Sequence, residues 1–191
     1  MDRLGSYASV YNIGHKAIED LFNGRVWIEE KIDGSQFSMC LSDGQLICRS
    51  KGSQIVIDAP EKMFTKAIET AKSLDLHPNW VYRCEYLSKP HHNTLNYNRV
   101  PEKSLIIFDI AIGEEEYLLY GDKFKEAERL GLECVPLLYE GVVNSFEMLK
   151  TFLDTQSILG GTKIEGFVVK NYALYTSEKK IAIGKYVSEA F

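Results

Sequence analysis

The 191 residues carry 22 basic and 27 acidic side chains, a formal net charge of −5, and are 45% hydrophobic and 26% charged. These are the values of a globular chain long enough to bury a core, and the negative balance excludes a protein that coats nucleic acid by bulk electrostatics alone. The longest apolar runs, such as Leu105 to Ile107, are far too short to cross a bilayer, and the N-terminus lacks the apolar stretch of a secretory signal. An intracellular, cytoplasmic protein without a membrane span is therefore expected.

In chain order, three β-like segments come first: Val26 to Ile32, Gln36 to Leu41 and Gln45 to Arg49. Asp33-Gly34 and Asp43-Gly44 separate them, and Asp-Gly between alternating segments is a hairpin signal, so an antiparallel meander is expected. Asp58 and Pro60 start a helix with Met63, Phe64, Ala67, Ala71 and Leu74 on one face. A strand follows at Trp80 to Leu87. Residues 88–103, rich in proline and asparagine, form an ordered surface loop, and Leu105 to Ile112 is a strongly apolar strand.

Two further helices are expected. One is capped by Asp122 and closed by Gly131, with Phe124, Ala127 and Leu130 inward; the other starts near Asn144, with Glu147 completing a capping box. Strands at Ile164 to Lys170 and Ile181 to Val187 finish the chain. The class is α+β, with antiparallel sheets and inserted helices. No repeat, low-complexity tract or linker interrupts it, so residues 1–191 read as one domain.

The four cysteines, Cys40, Cys48, Cys84 and Cys134, form no CxxC pair and read as buried free thiols. His91-His92 has no third ligand at suitable spacing, which argues against zinc. Lys89, His91, Asn93, Tyr97 and Arg99 mix donors with an aromatic, as contacts to phosphate and sugar require, although a merely well-packed surface loop fits equally well. A basic track drawn from Lys89, Arg99, Lys103, Lys163, Lys170, Lys179, Lys180 and Lys185 offers weak, salt-sensitive attraction for nucleic acid.

Lys31 ends a strand one residue before a tight turn, in Glu29-Glu30-Lys31-Ile32-Asp33-Gly34. Alone, this reads as an exposed lysine paired with a neighbouring glutamate. An ordered series follows it: Arg49-Ser50-Lys51-Gly52, Glu85 in CEYL, Phe108-Asp109 in IIFDI, and Glu165-Gly166-Phe167-Val168-Val169-Lys170. Taken singly, Phe108 is a core aromatic, while Glu85, Arg49, Glu165 and Lys170 are solvated strand charges. Taken in order, the series resembles the collinear motifs of the covalent nucleotidyltransferase superfamily of ATP-dependent RNA ligases, DNA ligases and mRNA capping enzymes. The segments EKIDGSQ, RSKG and PHHNTLNYNRVP are most similar to the RNA ligases that seal breaks in duplexes.

The resemblance implies the ligase and capping-enzyme nucleotidyltransferase fold and an ATP-dependent RNA ligase that takes AMP from ATP on Lys31. It then passes AMP to an RNA 5′-phosphate and seals that end to a 3′-hydroxyl. The attacking amine must be neutral, and burial or nearby positive charge is what releases the proton of an ordinary lysine. Mg²⁺ or Mn²⁺, held by Glu165 and Asp33, supplies such charge and neutralises phosphate oxygens. By the same resemblance Phe108 stacks on adenine, Glu85 and Arg49 engage the ribose, and Glu30 sits near the base. Lys170 and Lys185 grip the α-phosphate as charge grows in the transition state.

The superfamily's last motif often reads KxK, whereas here Lys185 follows Ile183-Gly184, with Lys179 and Lys180 earlier; the second phosphate lysine is left open. Phe191 closes the sequence where members usually continue, so the expected domain is complete or is cut before a C-terminal one. The expected partner is RNA at a nicked duplex, met by a monomer. Two rivals remain: an ATP-dependent DNA ligase or capping guanylyltransferase, and a catalytically silent nucleotide- or RNA-binding module. Covalent labelling by ATP separates them.

Overall fold

The computed structural model describes residues 3–189, so the ends of the expected 1–191 domain lie outside the described residues. In chain order the strands are β1 (Val10–Asn12), β2 (Arg25–Lys31), β3 (Ser35–Ser42), β4 (Gln45–Ser50), β5 (Gln54–Ile55) and β6 (Val81–Tyr86). They continue as β7 (Leu105–Gly113), β8 (Glu116–Tyr117), β9 (Glu133–Cys134), β10 (Leu137–Val142), β11 (Gly166–Tyr175) and β12 (Ile181–Val187). The helices are α1 (Thr65–Ser73), α2 (Tyr120–Leu130) and α3 (Phe146–Thr151). This is the expected α+β class with mainly antiparallel pairing.

The described residues fall into two compact units, 3–7, 34–93 and 98–134 in one, and 8–33, 94–97 and 135–189 in the other. The first holds a seven-stranded sheet in the order β5-β4-β3-β6-β7-β8, with β9 paired parallel to β7. Its inner face packs Phe37, Met39, Cys84, Tyr86, Leu105 and Ile107 against Ala67, Ile68 and Ala71 of α1 and Ala127 and Leu130 of α2. The period of two on the strands and of three to four on the helices is what lets each present one apolar face. Two residues expected on the inner faces, Met63 and Phe124, are 45% and 42% exposed. In α2 the buried face instead takes in Lys123, whose ammonium donates to the Phe108 carbonyl at 3.0 Å.

The second unit is a five-stranded sheet, β1-β12-β11-β2-β10. Val26, Ile28, Phe167, Val169 and Ala182 bury one face against Ile18, Leu21 and Leu149. Strand β10 was not expected from the sequence. It closes the edge beside β2 through a register irregularity between Leu137 and Tyr139.

The meander expectation is corrected at one turn. Asp43-Gly44 does form the β3–β4 hairpin, with φ of 51° and 77° as its primed turn demands. Asp33-Gly34 does not: β2 pairs with β10 and β11, whereas β3 pairs with β4 and β6, so this dipeptide carries the chain from one sheet to the next. Gly34 serves close approach, because a Cβ there would stand 2.6 Å from the Tyr86 carbonyl oxygen and 2.9 Å from Leu87 Cδ1. Most other boundaries move by a residue or two, but β11 runs on to Tyr175, α1 starts at Thr65 after a 3-10 turn at Lys62–Phe64 and not at Asp58 or Pro60, and α2 is preceded by Leu119 where Asp122 was the expected cap. The α3 cap is Ser145, whose hydroxyl accepts the Glu147 N–H, and Gly131 closes α2 with φ of 72°.

Candidate active site

Pairing registers decide which side chains share a face. In the five-stranded sheet Lys31 opposes Gly166, Glu29 opposes Val168, Trp27 opposes Lys170, and Val168 opposes Lys185. Directly opposed residues point the same way and alternate residues return to one face. Trp27, Glu29, Lys31, Lys170 and Lys185 therefore share the face opposite the apolar core, a charged face built from three adjacent strands.

Two ion pairs run along it. Lys31 Nζ lies 3.2 Å from Glu165 Oε1, with the lysine 28% and the glutamate 7% exposed. Lys170 Nζ lies 2.8 Å from Glu29 Oε1, both 1% exposed. Burial pushes the Glu165 carboxyl above the usual carboxylate range; Lys31 and Lys185 pull it down and Asp33 pushes it up, so three charges act on this one carboxylate. The second Glu165 oxygen is buried with no hydrogen-bond partner. Gly166, beside it, is required by space: a Cβ would meet the Tyr186 carbonyl oxygen at 2.2 Å.

The turn after Lys31 is clasped to a loop. One Asp33 carboxylate oxygen, Oδ2, accepts the N–H groups of Thr94 and Leu95 at 2.8 and 2.7 Å, and the Asp33 N–H donates to the Tyr97 hydroxyl at 2.9 Å. Tyr97 is 3% exposed. Burial, reinforced by Glu30, Asp33 and Glu165, pushes its phenol well above the ordinary value. Glu30, adjacent to Lys31 in the strand, points to the opposite face. There its carboxylate takes the Ser157 hydroxyl at 2.6 Å and the Ile158 N–H at 3.0 Å.

The other unit holds Arg49, Glu85 and Phe108. Glu85 Oε1 accepts the Gly34 N–H at 3.1 Å. Arg49 donates to the carbonyls of Leu4, Ser50 and Lys51. Phe108 sits at a bulge, where the ladder passes from the Cys84–Ile107 pair to the Arg83–Asp109 pair. It is half-buried, and the adjoining Asp109 is fully buried.

Of the residues named from the sequence, Lys31, Asp33 and Lys185 thus act on Glu165, while Lys170 is engaged by Glu29 four registers along the sheet and Glu30 by a turn on the opposite face. The loop expected to offer contacts spends two of its groups internally: Tyr97 holds Asp33, and Arg99 makes a two-pronged pair with Glu133 at 2.9 and 2.7 Å. The His92 ring bonds to Ser35 and Ser88. Among the described residues no group of three or more His, Cys, Asp or Glu side chains is gathered as a metal cage. Sequence reading missed Glu29, Ser157 and Tyr97 as partners of the charged residues. Glu29 carried a signal in its period-two spacing from Lys31; Ser157 carried none, its bond to Glu30 spanning 127 residues.

A family model described as RNA ligase matches residues 24–187. No curated protein sequence matches the chain. Among solved structures, the chain is similar to a Naegleria gruberi RNA ligase with PPi (17% identity, TM-score 0.68, covering 97% of this chain and 56% of that one). A mutant of that ligase with ATP and Mn is also similar (16%, 0.70, 100% and 58%). So is a protein from Aquifex aeolicus named provisionally as an ATP-dependent DNA ligase (20%, 0.61, 97% and 50%). At these identities the likeness is one of fold, and the chain spans 50% to 58% of the length of these relatives.

Proposed function

We propose, from the premise that the chain belongs to the RNA ligase family, that it is the adenylyltransferase part of an ATP-dependent RNA ligase and that Lys31 is its nucleophile. The observation that carries the reading is the Lys31–Glu165 pair on the charged face, with Lys185 acting on the same carboxylate and one glutamate oxygen buried and unpartnered.

In the step assigned to it, the neutral Lys31 amine attacks the α-phosphorus of ATP. A nitrogen–phosphorus bond forms, the bond to the pyrophosphate oxygen breaks, and the amine gives up its second proton, leaving a lysyl-AMP phosphoramidate. Lys31 Nζ is held by Glu165, so nucleotide binding has to draw Glu165 away from Nζ before attack. An orphaned, buried carboxylate oxygen fits a divalent cation, and the absence of a cage among the described residues fits a cation whose other ligands are phosphate and water. Such a cation neutralises phosphate oxygens and lowers the proton affinity of a nearby amine. The Naegleria structures named with ATP, AMP and Mn support this pairing of nucleotide and metal.

Lys185, half-buried on the charged face, is assigned to the phosphate. Lys170 contributes through its pair with Glu29. Asp33 acts mainly by clasping the 94–97 loop, with any share in the metal secondary. Phe108 is the adenine platform, and Glu85 and Arg49 are the ribose contacts. Glu30 reaches the base only by its backbone, since its side chain holds Ser157. The substrate assigned is RNA with a 5′-phosphate and a 3′-hydroxyl at a duplex nick, with residues 1–191 supplying the adenylyltransferase domain of a monomer.

The test is incubation with radiolabelled ATP and Mg²⁺ followed by denaturing electrophoresis. Acid-labile label on the wild type, abolished by Lys31→Ala and not given by GTP, is expected. A chain left unlabelled from pH 6 to 9 with either Mg²⁺ or Mn²⁺ contradicts the reading, and label from GTP instead points to capping chemistry.

A further inference from the structure

We propose that Tyr7 is a positioning residue for nucleobase recognition, acting through its edge-on contact with Phe108; this rests on the reading of Phe108 as the adenine platform. The argument starts from the bulge. A bulge re-aims the side chain it carries, and the ladder passes from Ile107 to Asp109 at Phe108; a half-buried ring aimed in this way gains orientation from the support of an aromatic neighbour.

Tyr7 is placed to give it. The two ring centroids are 5.0 Å apart at an interplanar angle of 77°, the edge-to-face geometry that aromatic quadrupoles favour. Tyr7 is itself fixed on several sides. Its hydroxyl donates to Asp109 Oδ2 at 2.5 Å, its ring meets Tyr117 edge-on at 6.2 Å, and the Arg83 guanidinium lies 5.8 Å from its centroid. The preceding backbone is strapped across the same sheet face. The Leu4 N–H donates to Gln54, Arg49 Nη1 donates to the Leu4 carbonyl at 2.6 Å, and Arg83 Nη1 donates to the Gly5 carbonyl at 3.0 Å. Strands β4, β6 and β7 therefore all hold one short N-terminal segment, whose tyrosine is 7% exposed and meets the Phe108 ring.

The experiment measures self-adenylylation of the full chain over a range of ATP concentrations, with the fraction of active protein counted from label stoichiometry and folding followed by thermal melting. Tyr7→Leu is expected to raise KM for ATP roughly three- to tenfold with kcat per active site within about twofold, in line with the worth of an aromatic pair. Tyr7→Phe keeps the ring and is expected to restore KM to within about twofold of wild type. Phe108→Leu is expected to raise KM at least as much, and the double variant to add nothing further. A purely structural tyrosine would lower the active fraction and leave KM in place, which overturns the proposal. An equal loss in Tyr7→Phe, or additive effects of the two leucine variants, overturns it too. If Phe108→Leu leaves KM unchanged, the adenine-platform reading fails and takes the proposal with it; if only Tyr7→Leu leaves KM unchanged, that reading stands and the role of Tyr7 is refuted.

Discussion

Glu165 carries opposite consequences for activity and for stability. Burial holds its carboxyl above the ordinary value of 4.5, so as pH falls the side chain is protonated earlier than a free glutamate and loses the charge that would hold a cation. The acid limb of Lys31 labelling is therefore expected above pH 4.5. Glu165→Gln, neutral at every pH, should label slowly throughout and show no such limb. Stability runs the other way. The folded chain binds this proton more tightly than the unfolded one, so the contribution is fully present below about pH 4.5 and is lost as pH rises through the folded value. Denaturant melts at stepped pH should show the wild type losing ground to Glu165→Gln on that rise. A wild type that instead gains on the variant contradicts the burial argument.

Strands β2 and β11 together bury the Lys170–Glu29 pair, and this changes what an alanine at Lys170 reports. With both partners 1% exposed, removing either one leaves a charge in a dry interior, at a cost of about 3–5 kcal/mol. Lys170→Met alone is expected to lower the denaturation midpoint sharply, and the double variant Lys170→Met, Glu29→Leu to recover most of it. Slow labelling by Lys170→Met would then be interpretable only beside the double variant: labelling restored along with stability makes the lysine structural, and labelling still lost makes it part of the phosphate site. Strands β11 and β12 show why glycine stands at position 166, where the backbone of Tyr186 and Val187 leaves no room for a methyl group.

At the scale of the whole molecule, the four cysteines offer a probe of opening. All are buried thiols outside any disulfide, and burial pushes the Cys48 thiol up to about 12 and raises the Cys84 thiol as well. The thiolate is the reactive form, so native protein at pH 8 is expected to consume almost no thiol reagent and unfolded protein four equivalents. Prompt reaction of one or more thiols in native buffer would show that the seven-stranded sheet, which holds Cys40, Cys48, Cys84 and Cys134, opens far below the global unfolding free energy. Among the described residues no helix is long and apolar enough to cross a membrane, in keeping with the absence of any long apolar run in the sequence.

Local signals were enough for much of this chain. Alternation marked β3 and β4, an apolar run marked β7, Asp43-Gly44 marked a hairpin, Gly131 marked a helix end, and the motifs around Lys31, Glu85, Phe108 and Glu165, taken in order, carried the resemblance to a family, because each depends on residues close together or on order along the chain. What tertiary structure decided was pairing and facing. Asp33-Gly34 carries the same local signal as Asp43-Gly44, yet it passes between sheets, since both partners of β2, and β6 on the other side of β3 from β4, lie more than 40 residues away in sequence and nothing local selects them. The strand pattern could not show that Glu30 turns from Lys31 towards Ser157, that Lys170 is spent on Glu29, or that a bulge leaves Phe108 to be braced by Tyr7 from 101 residues away. A hydrogen bond or ring contact is set by distance in space, and chain order constrains that distance only over a few residues.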